Sequence, residues 1–170
     1  MSPSVPPALR IRAYRPEDAP ALLAVFRDSV RRSAHQDYSP EQLAAWAPDQ
    51  MDEGAWAERR ASRPTWVADV GGRPVGFSDL EADGHLDMLY VAADYQGRGV
   101  ASALLDAVLS AAKEQGLTRV FTEASLTAKP FFERRGFRLL QEQTVQRLGQ
   151  MLVNCRMERK LEAGDVTPPA

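Results

Sequence analysis

The chain has 170 residues, a formal net charge of −2 and 44% hydrophobic residues, which is typical of a single globular domain with its own core. The small net charge provides no global basic field for nucleic acid, and no stretch reaches the roughly 18 apolar residues that span a bilayer. The single cysteine excludes an internal disulfide, so we expect a cytoplasmic protein with no nucleic-acid or membrane partner.

Proline-rich sequences lie at both ends of the chain. MSPSVPP predicts a disordered tail over 1–7, GDVTPPA predicts a flexible tail over 162–170, and a single domain is expected over 8–161. The N-terminal sequence has no basic segment followed by an apolar stretch, so we expect no secretory signal.

The first third of the chain predicts one strand followed by three helices. LRIRAY alternates apolar and polar residues, as a half-buried strand does. RPEDAP opens a helix with one apolar face, formed by Leu22, Leu23, Phe26 and Val30. In DYSPEQLAAW, Ser39 and Gln42 have the spacing of a capping box, and DEGAWAERRA predicts a third helix.

In the middle of the chain, apolar residues recur at every second position. TWVADV and PVGFSDL flank Gly71-Gly72, a hairpin signal, and GHLDMLYVA follows a second turn at Asp83-Gly84. Three antiparallel strands are therefore expected. A period of about 3.6 then predicts a helix from Arg98 to Gln115, ended by Gly116. The strand RVFTEAS follows, and this order predicts parallel pairing through a right-handed crossover.

The last third predicts a short helix and a hairpin. TAKPFFERRGF reads as a helix closed by Gly136, and two strands are expected at about 137–147 and 151–160, with a turn near Gly149. Cys155 lies in the alternating run LVNCRME, which indicates a buried strand cysteine rather than a catalytic thiol.

The loop in DYQGRGVASALL places glycines where the long helix begins. The first turn of a helix has unpaired N–H groups at the positive end of the helix dipole. Gly97 and Gly99 have no side chains to block a ligand, and Ala101 and Ser102 are small. The loop therefore predicts a phosphate or pyrophosphate site, with a tight strand-to-helix connection as the alternative. A P-loop or a dinucleotide fingerprint would need residues that this loop lacks.

The segment MLYVAADYQGRGVASALLDAVLSAAKEQG resembles the cofactor motif of the GCN5-related N-acetyltransferase (GNAT) superfamily, Q/R-x-x-G-x-G/A, at Gln96, Gly99 and Ala101. SLTAKPFFERRGF is similar to the family's second motif, N-x-x-A-x-x-L-Y-x-x-x-G-F. The element order agrees over about 8–160. The resemblance implies the α/β (α+β) GNAT fold, with a mixed, mostly antiparallel central sheet of about six to seven strands flanked by about four to five helices.

The resemblance implies acetyl-CoA as the cofactor. Its pyrophosphate is expected on the amides of Gln96, Gly97, Arg98, Gly99, Val100, Ala101 and Ser102. The backbone of Leu89, Tyr90 and Val91 is expected to bind the pantetheine arm, in a gap between this strand and the strand at 119–124. A backbone amide beside the gap would polarise the thioester carbonyl.

Two positions depart from the family's pattern. Phe132 stands where the family carries a tyrosine that protonates the leaving thiolate, and a phenyl ring cannot donate a proton. Another group, water or departure of the unprotonated thiolate is then required. Ser125 replaces an asparagine, and its shorter side chain puts that pantetheine contact in doubt. Phe131 and Phe132 are expected to line the arm or to pack in the core.

Transfer to an amine needs a base or a water chain, because a free alkylamine has a pKa of about 10. Strand parity places His85, Asp87, Leu89 and Val91 on one face, and His85 falls where some family members carry a glutamate base. We therefore predict His85 as the base, with Asp87 orienting it or attracting the amine. An exposed turn histidine is the alternative. Glu123 is predicted to be a carboxylate at the surface or at the end of the sheet.

The acceptor is expected near the first helices and the acidic strands. Asp79, Glu81 and Asp87 predict an acidic mouth suited to a cation, with a solvated strand edge as the alternative. Tyr38 and Trp46 are predicted as a wall or lid of the acceptor pocket, with capping and core packing as alternatives. No metal site is predicted.

These residues predict an acetyl-CoA-dependent N-acetyltransferase that acts on a primary amine of a small molecule, by direct transfer in a ternary complex. Three alternatives are open: a protein lysine or N-terminal acetyltransferase, a non-catalytic acyl-CoA-binding module, and a nucleotide-phosphate enzyme. The family resemblance also makes a homodimer through the last strands possible.

Overall fold

The computed structural model describes residues 8–161, and the tails predicted over 1–7 and 162–170 lie outside the described residues. The described part forms seven strands: β1 (Leu9–Ala13), β2 (Thr65–Val70), β3 (Arg73–Asp79), β4 (Leu89–Val91), β5 (Arg119–Ser125), β6 (Arg138–Arg147) and β7 (Gln150–Lys160). It also forms five α-helices: α1 (Ala19–Ser33), α2 (Pro40–Trp46), α3 (Glu53–Ala61), α4 (Val100–Glu114) and α5 (Lys129–Arg134). Within these residues, no helix is both long and apolar enough to cross a membrane.

The structure contains the turns and helix caps that the local sequence predicts. The Ser39 hydroxyl accepts a hydrogen bond from the Gln42 N–H (3.1 Å), and the Gln42 side chain accepts one from the Ser39 N–H (2.8 Å). Gly71 and Gly72 have φ angles of 61° and 90° in the β2–β3 hairpin, and Gly116 ends α4 with a φ of 73°. The mixed α/β fold class is confirmed.

The strands divide into two antiparallel sheets rather than one. Their orders are β1-β2-β3-β4 and β5-β7-β6. The parallel pairing predicted across the crossover helix α4 is confined to a bridge between His85 and Phe121. The strand predicted from about residue 84 begins only at Leu89, because one carboxylate oxygen of Asp79 accepts hydrogen bonds from the N–H groups of Asp87 and Met88 (both 2.9 Å).

Helices pack closely on the first sheet and thereby position β4. The predicted apolar face of α1 is buried in one cluster with Phe77 of β3. Helix α4 approaches the same strand so closely that a Cβ atom at Gly76 would lie 3.2 Å from Leu104 and 3.3 Å from Val100. The N-terminus of α4 is therefore held beside β4. Cys155 is buried in β7, as predicted.

Candidate active site

A gap opens between β4 and β5 at the bridge that joins the two sheets. The Leu86 N–H donates to the Phe121 carbonyl (2.8 Å), and the Phe121 N–H donates to the Gly84 carbonyl (3.0 Å). Beyond this point β4 pairs with β3 and β5 pairs with β7, so their facing edges separate. The bridge requires glycine at Gly84, where φ is 97° and a Cβ atom would lie 2.5 Å from the Arg119 carbonyl oxygen.

The edge of β4 that faces the gap presents backbone groups to it. Hydrogen bonds from Ala92 N–H to β3 (2.8 Å) and from β3 to the Met88 carbonyl (3.3 Å) show that even-numbered residues pair with β3. In an antiparallel strand, the backbone N–H and C=O groups of neighbouring residues point to opposite edges. The backbone groups of Leu89 and Val91 therefore point into the gap. The Val91 carbonyl accepts a hydrogen bond from the Gln96 side chain (3.0 Å). The N–H groups of Leu89 and Val91 can therefore bind a ligand in the gap.

A groove of about 430 Å³ runs from this edge to the N-terminus of α4. The Ala103 N–H donates to the Gly99 carbonyl (3.0 Å) and closes the first turn of the helix, so the N–H groups before it are free donors. Gly97 has a φ of 73° and open space where a Cβ atom would lie. Six of the predicted loop residues line the groove: Gln96, Gly97, Gly99, Val100, Ala101 and Ser102. The geometry fits a diphosphate.

Arginines add positive charge to this groove. Arg134 and Arg135 line it, and Arg135 donates a hydrogen bond to the Ser102 hydroxyl. The predicted Arg98 lies outside the lining, with its guanidinium 5.4 Å from the centre of the Tyr95 ring. The sequence pattern assigns no role to these two arginines, because they lie at the end of a short helix.

A second cavity, of about 280 Å³, lies on the other side of the gap. Its walls are rich in aromatic and methionine side chains: Phe26, Tyr38, Trp46, Met51, Met88 and Tyr90. The cavity and the groove share Leu89, Tyr90, Ser125 and Phe132 in their linings. The two spaces therefore meet at the gap between β4 and β5.

Tyr38 forms a fixed wall of this cavity rather than a lid. Its hydroxyl donates to the Val153 carbonyl (2.5 Å) and accepts from the Leu126 N–H (3.0 Å), and the residue is 6% exposed. Trp46 donates from its indole N–H to the Tyr90 hydroxyl (3.2 Å). Both predicted residues thus line the cavity while they also pack in the core.

His85 lies between two carboxylates. Its Nδ1 and Nε2 atoms are each 2.7 Å from an oxygen, of Glu81 and Glu123 respectively, and its ring stacks on Phe121 at 5.1 Å. The hydrogen bond with Glu123 raises the pKa of His85 to about 9; burial opposes this rise and Glu81 adds to it. This raised pKa favours the protonated ring, whereas the base role predicted for His85 needs the neutral form. Glu123, and not His85, lines the cavity.

The predicted acidic mouth is paired with arginines. Asp79 is 0% exposed and lies 3.5 Å from Arg60 and 3.7 Å from Arg63, so it cannot contact an acceptor. Burial raises the pKa of Asp79 to about 6, against hydrogen bonding from Met88 and the charge of Arg60. Arg63 also lies 3.1 Å from Glu81 and 3.2 Å from Asp87. No sequence pattern singles out Arg63, because it lies in the loop before β2.

Comparison with known proteins identifies the family. Residues 34–159 match the model of the acetyltransferase (GNAT) domain. The chain belongs to the GNAT acetyltransferase family. It is 41% identical to the N-acetyltransferase YafP of Escherichia coli K12 over 89% of this chain and 96% of that protein. It is 32% identical to the peptidyl-lysine N-acetyltransferase YjaB of the same strain, over 72% of this chain and 90% of YjaB.

A solved structure of a GCN5-related N-acetyltransferase from Rhodopseudomonas palustris agrees with the family. It has a TM-score of 0.88 and 39% sequence identity, and the match covers 95% of this chain and 99% of that one. The protein is thus an N-acetyltransferase, and acetyl-CoA is the acetyl donor of the GNAT family.

The two departures from the GNAT motif have local explanations. The Ser125 hydroxyl accepts a hydrogen bond from the Ala128 N–H (3.0 Å) at the start of α5, so its side chain positions this helix. Phe132 is 3% exposed and its ring centre lies 5.0 Å from that of Phe137. Phe131 is more exposed and lines the groove. Phe132 therefore packs in the core while it also lines both the groove and the cavity, whereas Phe131 lines the groove.

Proposed function

We propose that this acetyltransferase transfers the acetyl group of acetyl-CoA directly to the primary amine of a small molecule, within a ternary complex. The observation that carries the proposal is the meeting of the groove and the cavity at Leu89, Tyr90, Ser125 and Phe132. When bound, acetyl-CoA supplies the acetyl group as an activated thioester. The cavity of about 280 Å³ is close to the lower end of ligand pockets, which measure roughly 300–1,000 Å³.

Direct transfer is supported by the position of the thiol. Cys155 is the only cysteine in the chain, and it is fully buried in β7. It lines neither the groove nor the cavity among the described residues. Burial raises the pKa of the Cys155 thiol, which disfavours the thiolate. An acetyl-cysteine enzyme is therefore not part of the proposal.

We assign the proton acceptor to Glu123. Its Oε1 atom is held by His85, and the side chain is 36% exposed. This leaves Oε2 to accept a proton from the amine as the C–N bond forms and the nitrogen becomes more acidic. His85 is then a positioning residue, because its imidazolium holds the carboxylate in place. Asp87 lines the same cavity and is the second carboxylate that faces the amine.

The leaving group needs no protein acid in this proposal. Phe132 has no proton to donate, and a thiol has an ordinary pKa of about 8.5. Departure as a thiolate therefore carries little cost at neutral pH, and water can protonate it after transfer.

Acetylation of peptidyl lysine is the second candidate function, since YjaB carries that name. The experiment compares acetyl-CoA consumption with a panel of small amines and with lysine-containing peptides, and then varies both substrates. We expect turnover with small amines and intersecting initial-rate lines, whereas parallel lines are typical of a covalent intermediate. Preferential turnover of peptides, or parallel lines, would contradict the proposal.

Two further expectations concern location and assembly. The cytoplasmic location stays a prediction. A homodimer through the last strands also stays a prediction; β6 lies at the edge of its sheet and exposes Leu139 and Leu140. Sedimentation of the purified protein would measure its oligomeric state.

A further inference from the structure

Two arginines from different elements line the acceptor cavity. Arg59 comes from the last turn of α3, and Arg147 ends β6. Within residues 8–161, neither guanidinium group has a carboxylate oxygen within 4.0 Å. Both side chains are exposed, so a ligand in the cavity can reach them without breaking an existing ion pair.

The charged groups around the cavity nearly balance before these two arginines are counted. Four carboxylates share three cations: Asp79, Glu81, Asp87 and Glu123 lie against Arg60, Arg63 and His85, whose raised pKa favours the protonated ring. Arg59 and Arg147 bring the count to five positive groups against four negative ones. A net positive charge therefore remains for a ligand, although the sequence pattern predicts an acidic mouth.

We propose that the acceptor amine also carries an anionic group, a carboxylate or a phosphate, and that Arg59 and Arg147 bind this group. This inference depends on the proposed function, because it names the class of small molecule that the cavity accepts. A guanidinium group offers a fork of donors that matches a carboxylate or a phosphate. The aromatic and methionine side chains that line the same cavity suit an apolar body between the anion and the amine.

The same charges disfavour a cationic acceptor. A polyamine or a lysine-rich peptide would bring further positive charge to Arg59 and Arg147, and like charges repel. An anionic amine instead neutralises the arginines, while its amino group reaches the gap beside Glu123. The electrostatics of the cavity thus separate the small-molecule function from peptidyl-lysine acetylation.

The test uses pairs of amines that differ only in the anion. 4-(Aminomethyl)benzoate is compared with benzylamine, and 4-(aminomethyl)phenyl phosphate with 4-(aminomethyl)phenol, in acetyl-CoA-dependent assays of the full chain. We expect at least one anionic member to have a kcat/KM at least tenfold above that of its neutral partner, and the pair concerned distinguishes carboxylate from phosphate. In Arg59→Gln/Arg147→Gln this preference should disappear, mainly through KM, with the neutral partner changed less than twofold.

A matched variant controls for lost surface charge. Arg73→Gln removes an exposed arginine that lines neither cavity, and it should keep the preference. Equal rates for both members of every pair, faster turnover of the neutral members, or an equal loss for both members in the double variant would overturn the inference.

Failure of the proposed function is distinguished by a binding measurement. If no small amine is acetylated, that function fails, and the arginine site is then judged by calorimetry on the protein–CoA complex. We expect 3-phenylpropionate or inorganic phosphate to bind the wild-type complex at least tenfold more tightly than the double variant. Equal binding to both, or no binding to the wild type, overturns the anion site.

Discussion

The Nε2 atom of His85 lies 2.7 Å from Oε1 of Glu123, and this contact crosses from the loop before β4 to the strand β5. It spans the point where the two sheets separate. Glu123 lines the acceptor cavity. The position of its charge in that cavity therefore depends on how β4 and β5 separate.

Replacing Glu123 with glutamine should lower kcat by about 10²-fold, since general-base catalysis contributes at least that much. The amide preserves the shape of the side chain but cannot accept the amine proton. The KM for acetyl-CoA should change less than twofold, because the cofactor groove is on the other side of the gap. Steady-state kinetics with both substrates varied measures the two effects.

Glu133→Gln is the control for the Glu123 variant, because this exposed carboxylate of α5 lines neither cavity. It should keep wild-type rates. Retention of full kcat by Glu123→Gln over the whole pH range would remove Glu123 from the proton transfer.

The stability of the protein should decrease as pH rises towards 9. The folded-state pKa of His85 is raised from 6.5 to about 9, so its contribution is fully present below pH 6.5 and is lost as pH rises through about 9. Because Glu81 and Glu123 are each 36% exposed and solvent screens both pairs, the loss is on the order of 1–3 kcal/mol in the free energy of unfolding. Urea unfolding at pH 6, 7.5 and 9.5 should show this decrease in the wild type and a much flatter profile in His85→Gln.

His35 provides the internal comparison for this pH dependence. It is the other of the two histidines in the chain, and it is exposed at the surface. His35→Gln should keep the wild-type decrease above pH 6.5. If His85→Gln and His35→Gln gave the same pH profile as the wild type, the ion pairs of His85 would not stabilise the fold.

Local signals made much of the fold predictable. The cap at Ser39, the hairpin at Gly71-Gly72 and the glycine loop before α4 each depend on neighbouring residues, and the structure forms all three. The family resemblance then indicated that the N-terminus of α4 is the end where the cofactor diphosphate is expected.

The charges of the acceptor cavity could not be predicted in the same way. His85 and Glu123 are 38 positions apart, and their contact depends on the separation of β4 from β5. Arg63 pairs with Asp87 only because the loop before β2 packs against the segment before β4. Asp87 and Glu123 therefore form ion pairs that the sequence does not reveal. Arg59 and Arg147, to which no motif assigns a role, line the cavity.

The bridge between the two sheets should be sensitive to a single methyl group. Gly84→Ala would place a Cβ atom 2.5 Å from the Arg119 carbonyl oxygen at a φ of 97°, and it should cost about 2–4 kcal/mol in the free energy of unfolding. Gly71→Ala has a φ of 61° and open space around the new atom, so it should cost only about 1–2 kcal/mol. Urea unfolding of both variants measures the difference, and equal costs would contradict the close approach at the bridge.

The cofactor groove is tested by two glycines at opposite ends of α4. Gly97 and Gly116 both have a φ of 73° and open space where a Cβ atom would lie, so a glutamate imposes the same backbone strain at each. Only Gly97 lines the groove. Gly97→Glu should weaken CoA binding at least 100-fold, because a carboxylate would stand at the positive end of the helix where the diphosphate is expected.

Isothermal titration with CoA separates charge at the groove from strain in the backbone. Gly116→Glu should bind CoA within about twofold of the wild type, because its carboxylate lies beyond the far end of the helix and long-range charge is screened at physiological salt. The two variants should unfold at similar urea concentrations. Equal CoA affinity in both would show that the diphosphate is not bound at the start of α4, since strain alone is common to the pair.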